Sequence, residues 1–274
     1  MFRKNKLAML VGEFLGTLSL TLMVIAISRQ QYTFSPSLFI AATAGLVVVL
    51  MTLALGNISG AVFNPAMTIG LWTVRKLRTV QALSYIAVQL AGAAVAWEVF
   101  VYFAQVKGVS NNGHYNERIL VAEIAGSFVF AFIWAAAVYQ RFSLFAKAAA
   151  IGGALAAGSL IASLGSAGIL NPAVALGVRQ WAWGTYVLGP VLGAIIGFNL
   201  YNLLFVETEL AEVAEAKAEK ATVSAPAHAK TAKPAAAKKP VAVKSKATSA
   251  KPAAAKKKPV AKKTTARRSN PNAA

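Results

Sequence analysis

The tripeptide Asn-Pro-Ala occurs twice, at Asn64, Pro65 and Ala66 and again 107 residues later at Asn171, Pro172 and Ala173, each time ending a small, apolar stretch. Asparagine is among the strongest helix N-caps, and proline suits the first helical position because its missing N–H would have no intrahelical partner there. Both sites therefore start helices. Residues 65–73 are apolar but few; about nine residues make roughly 14 Å of helix. Residues 172 to about 180 are expected to form a helix of the same length. Such segments reach halfway into a bilayer but do not cross it.

A bilayer is what the rest of the chain demands. Of 274 residues 57% are hydrophobic, yet the formal net charge is +19. The two properties separate along the sequence. Before Val206 the only acids are Glu13, Glu98, Glu117 and Glu123, set among apolar runs near residues 7–27, 37–55, 80–103, 119–139, 148–164 and 183–206. Most of these runs are long enough to cross a membrane, which takes about 20 residues. The expected fold is an all-α integral membrane protein with six transmembrane helices and two re-entrant half-helices. The longer first run, with its internal Glu13, argues against a cleaved signal peptide.

Six crossings put both termini on one side. Arg3, Lys4, Lys6, Arg75, Lys76, Arg78, Arg141 and Lys147 share that side, against Arg29, Lys107, Arg118 and Arg179 opposite. The positive-inside rule then makes the termini cytoplasmic, in a multi-pass protein of the cell (plasma or inner) membrane. The chain has no cysteine, so disulfides and thiolate metal sites are excluded.

The halves resemble each other. Residues 12–17 (GEFLGT) match residues 122–127 (AEIAGS), aligning Glu13 with Glu123 and Gly16 with Gly126. Residues 59–70 (SGAVFNPAMTIG) match residues 166–177 (SAGILNPAVALG). Near the end of each half, Gly92 aligns with Gly193. Each unit, about 7–105 and 118–206, holds three crossings, so the second enters the membrane from the opposite face. The two half-helices then meet tip to tip near the centre. An exposed junction of that kind is prohibitive in hydrocarbon, so it is buried in protein or lines an aqueous path. Each tip carries roughly half a positive charge from its helix dipole, which disfavours cations. The amides of Asn64 and Asn171 can donate to a passing oxygen, and the extended residues before them, Gly60, Ala61, Val62 and Ile169 among them, offer backbone carbonyls. Such a path suits water or a small neutral solute.

These motifs, over residues 7 to about 205, resemble the aquaporin and glycerol-facilitator family, the major intrinsic proteins. The resemblance implies a passive channel in each subunit of a homotetramer embedded in the lipid bilayer. It places Asn64 and Asn171 at the central constriction, with their dipoles forming the cation barrier of aquaporin-type pores. It has Glu13 and Glu123 brace the re-entrant loops. It also aligns Ala44, Ser159, Gly168 and Val174 with the narrow outer filter. Many relatives have Arg where Val174 stands and His where Val62 stands. A filter of these four residues is wide, weakly polar and uncharged, open to solutes larger than water but poor in compensation for dehydration. Arg179, five residues beyond Val174, lies too far along the expected half-helix to be taken as the missing arginine.

Several residues have ordinary roles. Gly12, Gly16, Gly45, Gly92, Gly126, Gly158 and Gly193 suit close helix packing. Trp72, Trp181 and Trp183 suit interfacial anchoring, and Glu98 and His114 suit a solvated or headgroup setting. With no aspartate, no phosphate-binding loop and no ligand cluster, neither enzyme, metal nor cofactor is expected. Residues 1–206 form the channel domain, residues 207–219 a short charged extension of helical composition, and residues 220–274 a Lys/Ala/Pro-rich tail unable to bury a core. The tail suits anionic lipid beside the membrane more than nucleic acid. The alternative to a channel is a pore-inactive membrane scaffold whose basic tail does the binding.

Overall fold

The structure, a computed structural model, describes residues 4–31, 33, 35–106 and 114–206. The chain divides into two units, Met1–Ala225 and Pro226–Ala274. The charged extension 207–219, the tail 220–274, Arg3 and Lys107 lie outside the described residues.

Among the described residues eight α-helices follow one another: α1 Lys4–Ser28, α2 Pro36–Leu55, α3 Pro65–Thr73, α4 Thr79–Ala104, α5 Glu117–Tyr139, α6 Leu144–Ala162, α7 Pro172–Gly177 and α8 Leu188–Tyr201. A π-helical turn at Trp183–Val187 precedes α8 and another at Asn202–Val206 follows it, so that Trp183–Val206 forms one crossing. The first of these turns sits just ahead of Pro190, whose nitrogen has no hydrogen for the Tyr186 carbonyl. Among the described residues six helices are long and apolar enough to span a membrane, and α3 and α7 are the two short ones.

One boundary moves. The fifth crossing was expected from residue 148, but α6 begins at Leu144, taking Lys147 into its first turn. Ser143 decides this, because its hydroxyl accepts a hydrogen bond from the Ala146 N–H at 3.3 Å and caps the helix earlier than the apolar run suggests.

Packing follows the repeat. In each half the first and third crossings pair, α1 with α4 and α5 with α8, while α2 and α6 cross between the halves. Each half-helix lies against the third crossing of the other half, α3 on α8 and α7 on α4. The α2–α6 crossing depends on Gly45 and Gly152: a methyl on Gly45 would stand 2.6 Å from the Gly152 carbonyl oxygen. Gly92 meets α1 and Gly193 meets α5 with similarly little room, whereas a side chain at Gly12 would make only ordinary contacts. Close backbone approach is how membrane helices gain packing energy without a hydrophobic drive from water. The outward faces carry Leu46, Leu50, Leu83, Phe103 and Phe145, all exposed in the single chain, as expected for lipid contact or neighbouring subunits.

Candidate pore and outer vestibule

The two loops that precede the half-helices are built alike. Ala61 (φ 57°) and Phe63 (φ 51°) are left-handed, and so are their counterparts Gly168 (φ 65°) and Leu170 (φ 54°). Each loop opens with a serine turn: Ser59 Oγ accepts from the Ala61 N–H at 3.1 Å, and Ser166 Oγ from the Gly168 N–H at 2.8 Å. Apart from such turns, these loops cannot satisfy their own N–H groups, since left-handed residues interrupt every regular ladder.

Two buried carboxylates supply the missing acceptors. Glu13 takes the Val62 N–H at 3.0 Å on Oε1 and the Phe63 N–H at 2.7 Å on Oε2. Glu123 takes the Ile169 N–H at 3.0 Å on Oε1 and the Leu170 N–H at 2.7 Å on Oε2. The first half adds a further partner, Gln89, whose Nε2 donates to Glu13 Oε2 at 2.8 Å and also pairs with the Thr68 hydroxyl. In the second half Ser166 Oγ donates to Glu123 Oε1 at 2.7 Å, and Ser59 stands by Glu13 in the same way. Gln89 was not among the expected site residues. Its signal is an amide in the middle of an apolar crossing, a polar group that needs a buried partner.

The tips of the half-helices are tied to each other. Asn64 Oδ1 accepts from the Ala66 and Met67 N–H groups at 2.9 and 3.4 Å, and Asn171 Oδ1 from Ala173 and Val174 at 3.0 and 3.4 Å. Each Nδ2 then crosses to the other half, Asn64 donating to the Leu170 carbonyl and Asn171 to the Phe63 carbonyl, both at 2.9 Å. An amide nitrogen carries two hydrogens, so one on each asparagine is left over for a solute.

Beyond the asparagines, towards the C-terminal end of α1, lies a cavity of about 500 Å³. Ala44, Ser159, Gly168 and Val174 all line it, together with Ile169 and Asn171. Its walls are apolar at Leu20, Val24, Ile40 and Leu155, and its rim holds Ser28, Arg29, Arg179 and Gln180. Gly60, Ala61 and Val62, in the loop from the other face, are not among its lining residues. Glu98 is exposed on α4 and is not part of the cavity either. Among the described residues no cluster of potential metal ligands occurs.

A family model for the major intrinsic protein matches residues 2–201. The chain belongs to that family. Aquaporin Z of Photorhabdus laumondii is 33% identical over 189 residues, covering 60% of this chain and 81% of the relative. A putative aquaporin, NIP4-1, of Arabidopsis thaliana is 32% identical over 201 residues, covering 69% of this chain and 70% of its own length. The X-ray structure of the aquaglyceroporin from Plasmodium falciparum superposes with a TM-score of 0.61 over 74% of this chain and 98% of its own, at 18% identity, which speaks for the fold alone.

Against the expectation of equal half-helices, this major intrinsic protein has unequal ones. The first runs nine residues and the second only six, ending at Gly177 and not near residue 180. Both close in the same way: a left-handed arginine, Arg75 or Arg179, is followed by an N–H that reaches back to satisfy a helix carbonyl, Lys76 to Leu71 at 2.8 Å and Gln180 to Ala175 at 2.9 Å. In the second half that closure comes three residues sooner. The shorter helix brings Arg179 back to the cavity rim, its guanidinium carbon 4.7 Å from the centre of the Trp97 ring.

Gly168, on the cavity wall, stands tight against α6. A Cβ there would collide with the Ser159 carbonyl oxygen, and the φ of 65° strains any L side chain. Gly168→Ala is expected to lower the melting temperature of the detergent-purified protein and to reduce flux, while Ala61→Gly, at the equivalent place in the other loop, leaves flux within about twofold. Paired melting and permeability curves check this; equal behaviour of Gly168→Ala and wild type would contradict the collision.

Proposed function

We propose that this major intrinsic protein passes water and small neutral solutes passively between Asn64 and Asn171, with Ala44, Ser159, Gly168 and Val174 as its outer filter. The observation that carries the reading is the convergence of those four residues on one cavity that reaches Asn171, whose amide is tied to the Phe63 carbonyl beside Asn64. None of the four carries a charge, and Ala44, Ser159 and Gly168 are small, which suits solutes larger than water. Gly60, Ala61, Val62 and Ile169 would line the path through their backbone carbonyls, and Glu13 and Glu123 would hold both loops open by occupying their N–H groups. Selection against cations would come from the two helix dipoles, whose positive ends face the asparagines. Both termini would face the cytoplasm of a cell membrane, and the outward apolar faces suit a homotetramer with a conduction path in each subunit. The tail, beyond the described residues, would rest on anionic lipid.

Stopped-flow light scattering on proteoliposomes tests the reading, with water, glycerol and urea as solutes. Permeability to water and at least one of the others should exceed that of empty vesicles by about tenfold or more. Verified, folded protein that conducts none of them would leave the membrane scaffold as the remaining function.

A further inference from the structure

The outer rim of the cavity carries two cations for which the path itself has no use. Arg29, just beyond α1, holds its guanidinium carbon 5.3 Å from the centre of the Phe100 ring, and Arg179 lies 4.7 Å from that of Trp97. Both rings belong to α4, with centres 5.7 Å apart. One aromatic pair thus fixes both guanidiniums at the same mouth, and both line the cavity.

Their charges are unspent. None of the four acids among the described residues lines the cavity that Arg29 and Arg179 share, and Arg179 Nε is buried with no hydrogen-bond partner. Glu13 and Glu123 are fully buried and committed to the loops. Glu98 and Glu117 are exposed and do not line the cavity. A guanidinium that packs its face on a ring still presents N–H donors in its plane, in a fork that fits a carboxylate or phosphate. Ser28 and Gln180 add neutral polar groups to the same wall, and the filter below brings no charge to compete.

We infer that this vestibule is a binding site for a small oxyanion, held between Arg29 and Arg179 above the filter. The ligand class is a mono- or dicarboxylate or inorganic phosphate, since each offers the paired oxygens that a guanidinium fork accepts. Because the arginines are already ordered on their rings, binding spends little conformational entropy on the protein side. The bound anion lies at the mouth of the path and obstructs it; that consequence rests on the channel reading, whereas binding does not.

Malonate and phosphate are the probes, titrated against the full-length detergent-purified protein and read by tryptophan fluorescence, with sodium chloride of equal ionic strength as the reference. A saturable change beyond the chloride reference is expected. Its midpoint should move at least about tenfold higher in Arg179→Gln and in Arg29→Gln, and by less in Arg179→Lys, which keeps the charge but loses the fork. Stronger saturation by one probe identifies the source as carboxylate or phosphate. A change no larger than chloride gives, or an unaltered midpoint in both Gln variants, overturns the site. In proteoliposomes, external probe should lower solute flux in the wild type and not in the variants. Saturable binding without any flux would discard the channel and keep the site; normal flux without saturable binding would do the reverse.

Discussion

Replacing Val174 with arginine is expected to cut glycerol and urea permeability by at least about tenfold, which corresponds to about 1.4 kcal/mol on the barrier, while reducing water permeability by a smaller factor. Val174 is buried, lines the cavity and follows Ala173 on the first turn of α7, with its N–H tied to the Asn171 side chain. A side chain there points from a fixed backbone into a passage whose other members, Ala44, Ser159 and Gly168, are small. Arginine adds several heavy atoms and a charge that must find acceptors in the same narrow space. Solutes that need the full width lose most, and water, which can pass beside the guanidinium and hydrogen-bond to it, loses least. Stopped-flow measurements on one preparation give the glycerol-to-water ratio directly. An unchanged ratio would mean that these four residues are not the narrowest point. Val174→Leu separates bulk from charge, and should reduce solute flux without the preference for water.

Loss of the Glu123 carboxylate should cost stability more than flux. In Glu123→Ala two donors, the Ile169 and Leu170 N–H groups, lose their acceptor, while the Ser166 hydroxyl can turn to the Ala162 carbonyl at 3.1 Å. An orphaned buried donor costs about 1 to 3 kcal/mol, so the total is on the order of several kcal/mol. The corresponding fall in melting temperature is on the order of ten degrees. Glu123→Gln keeps one acceptor oxygen but turns an NH2 toward an N–H, so it should melt between the two. The same series at Glu13 should follow the same order, with Gln89 losing one of its two acceptors as well. Tryptophan fluorescence melts in detergent decide the matter. If Glu123→Ala melted with the wild type, the carboxylate would not be what holds the loop.

Much of the site was legible because membrane chains advertise their constraints. Asn64 and Asn171 could be read as caps because proline at the first helical position and a short apolar segment leave little else possible in a bilayer. Glu13 and Glu123 could be paired because the repeat places them alike, and a carboxylate in an apolar crossing requires a reason. The reason itself was not legible. Spacing along the chain does not reveal that Glu13 meets residues 49 and 50 positions away, or that Asn64 donates to a carbonyl 106 positions away. Gln89 was hidden for the same cause, since the carboxylate it meets is 76 positions away; the two serine turns span only two residues each, and their use shows only once the loops are in place.

The sequence by itself determined six crossings, the inverted repeat and the two capped half-helices. All three follow from local physics, namely the length of apolar runs, the caps and the cost of unpaired backbone in lipid. The tertiary structure decided where the second half-helix stops and therefore where Arg179 lies. Counted along a nine-residue helix that arginine belongs beyond the filter, but an early left-handed closure returns it to the rim over Trp97. Helix ends are chosen by which carbonyls find partners and which side chains find surfaces, and both depend on elements distant in the chain.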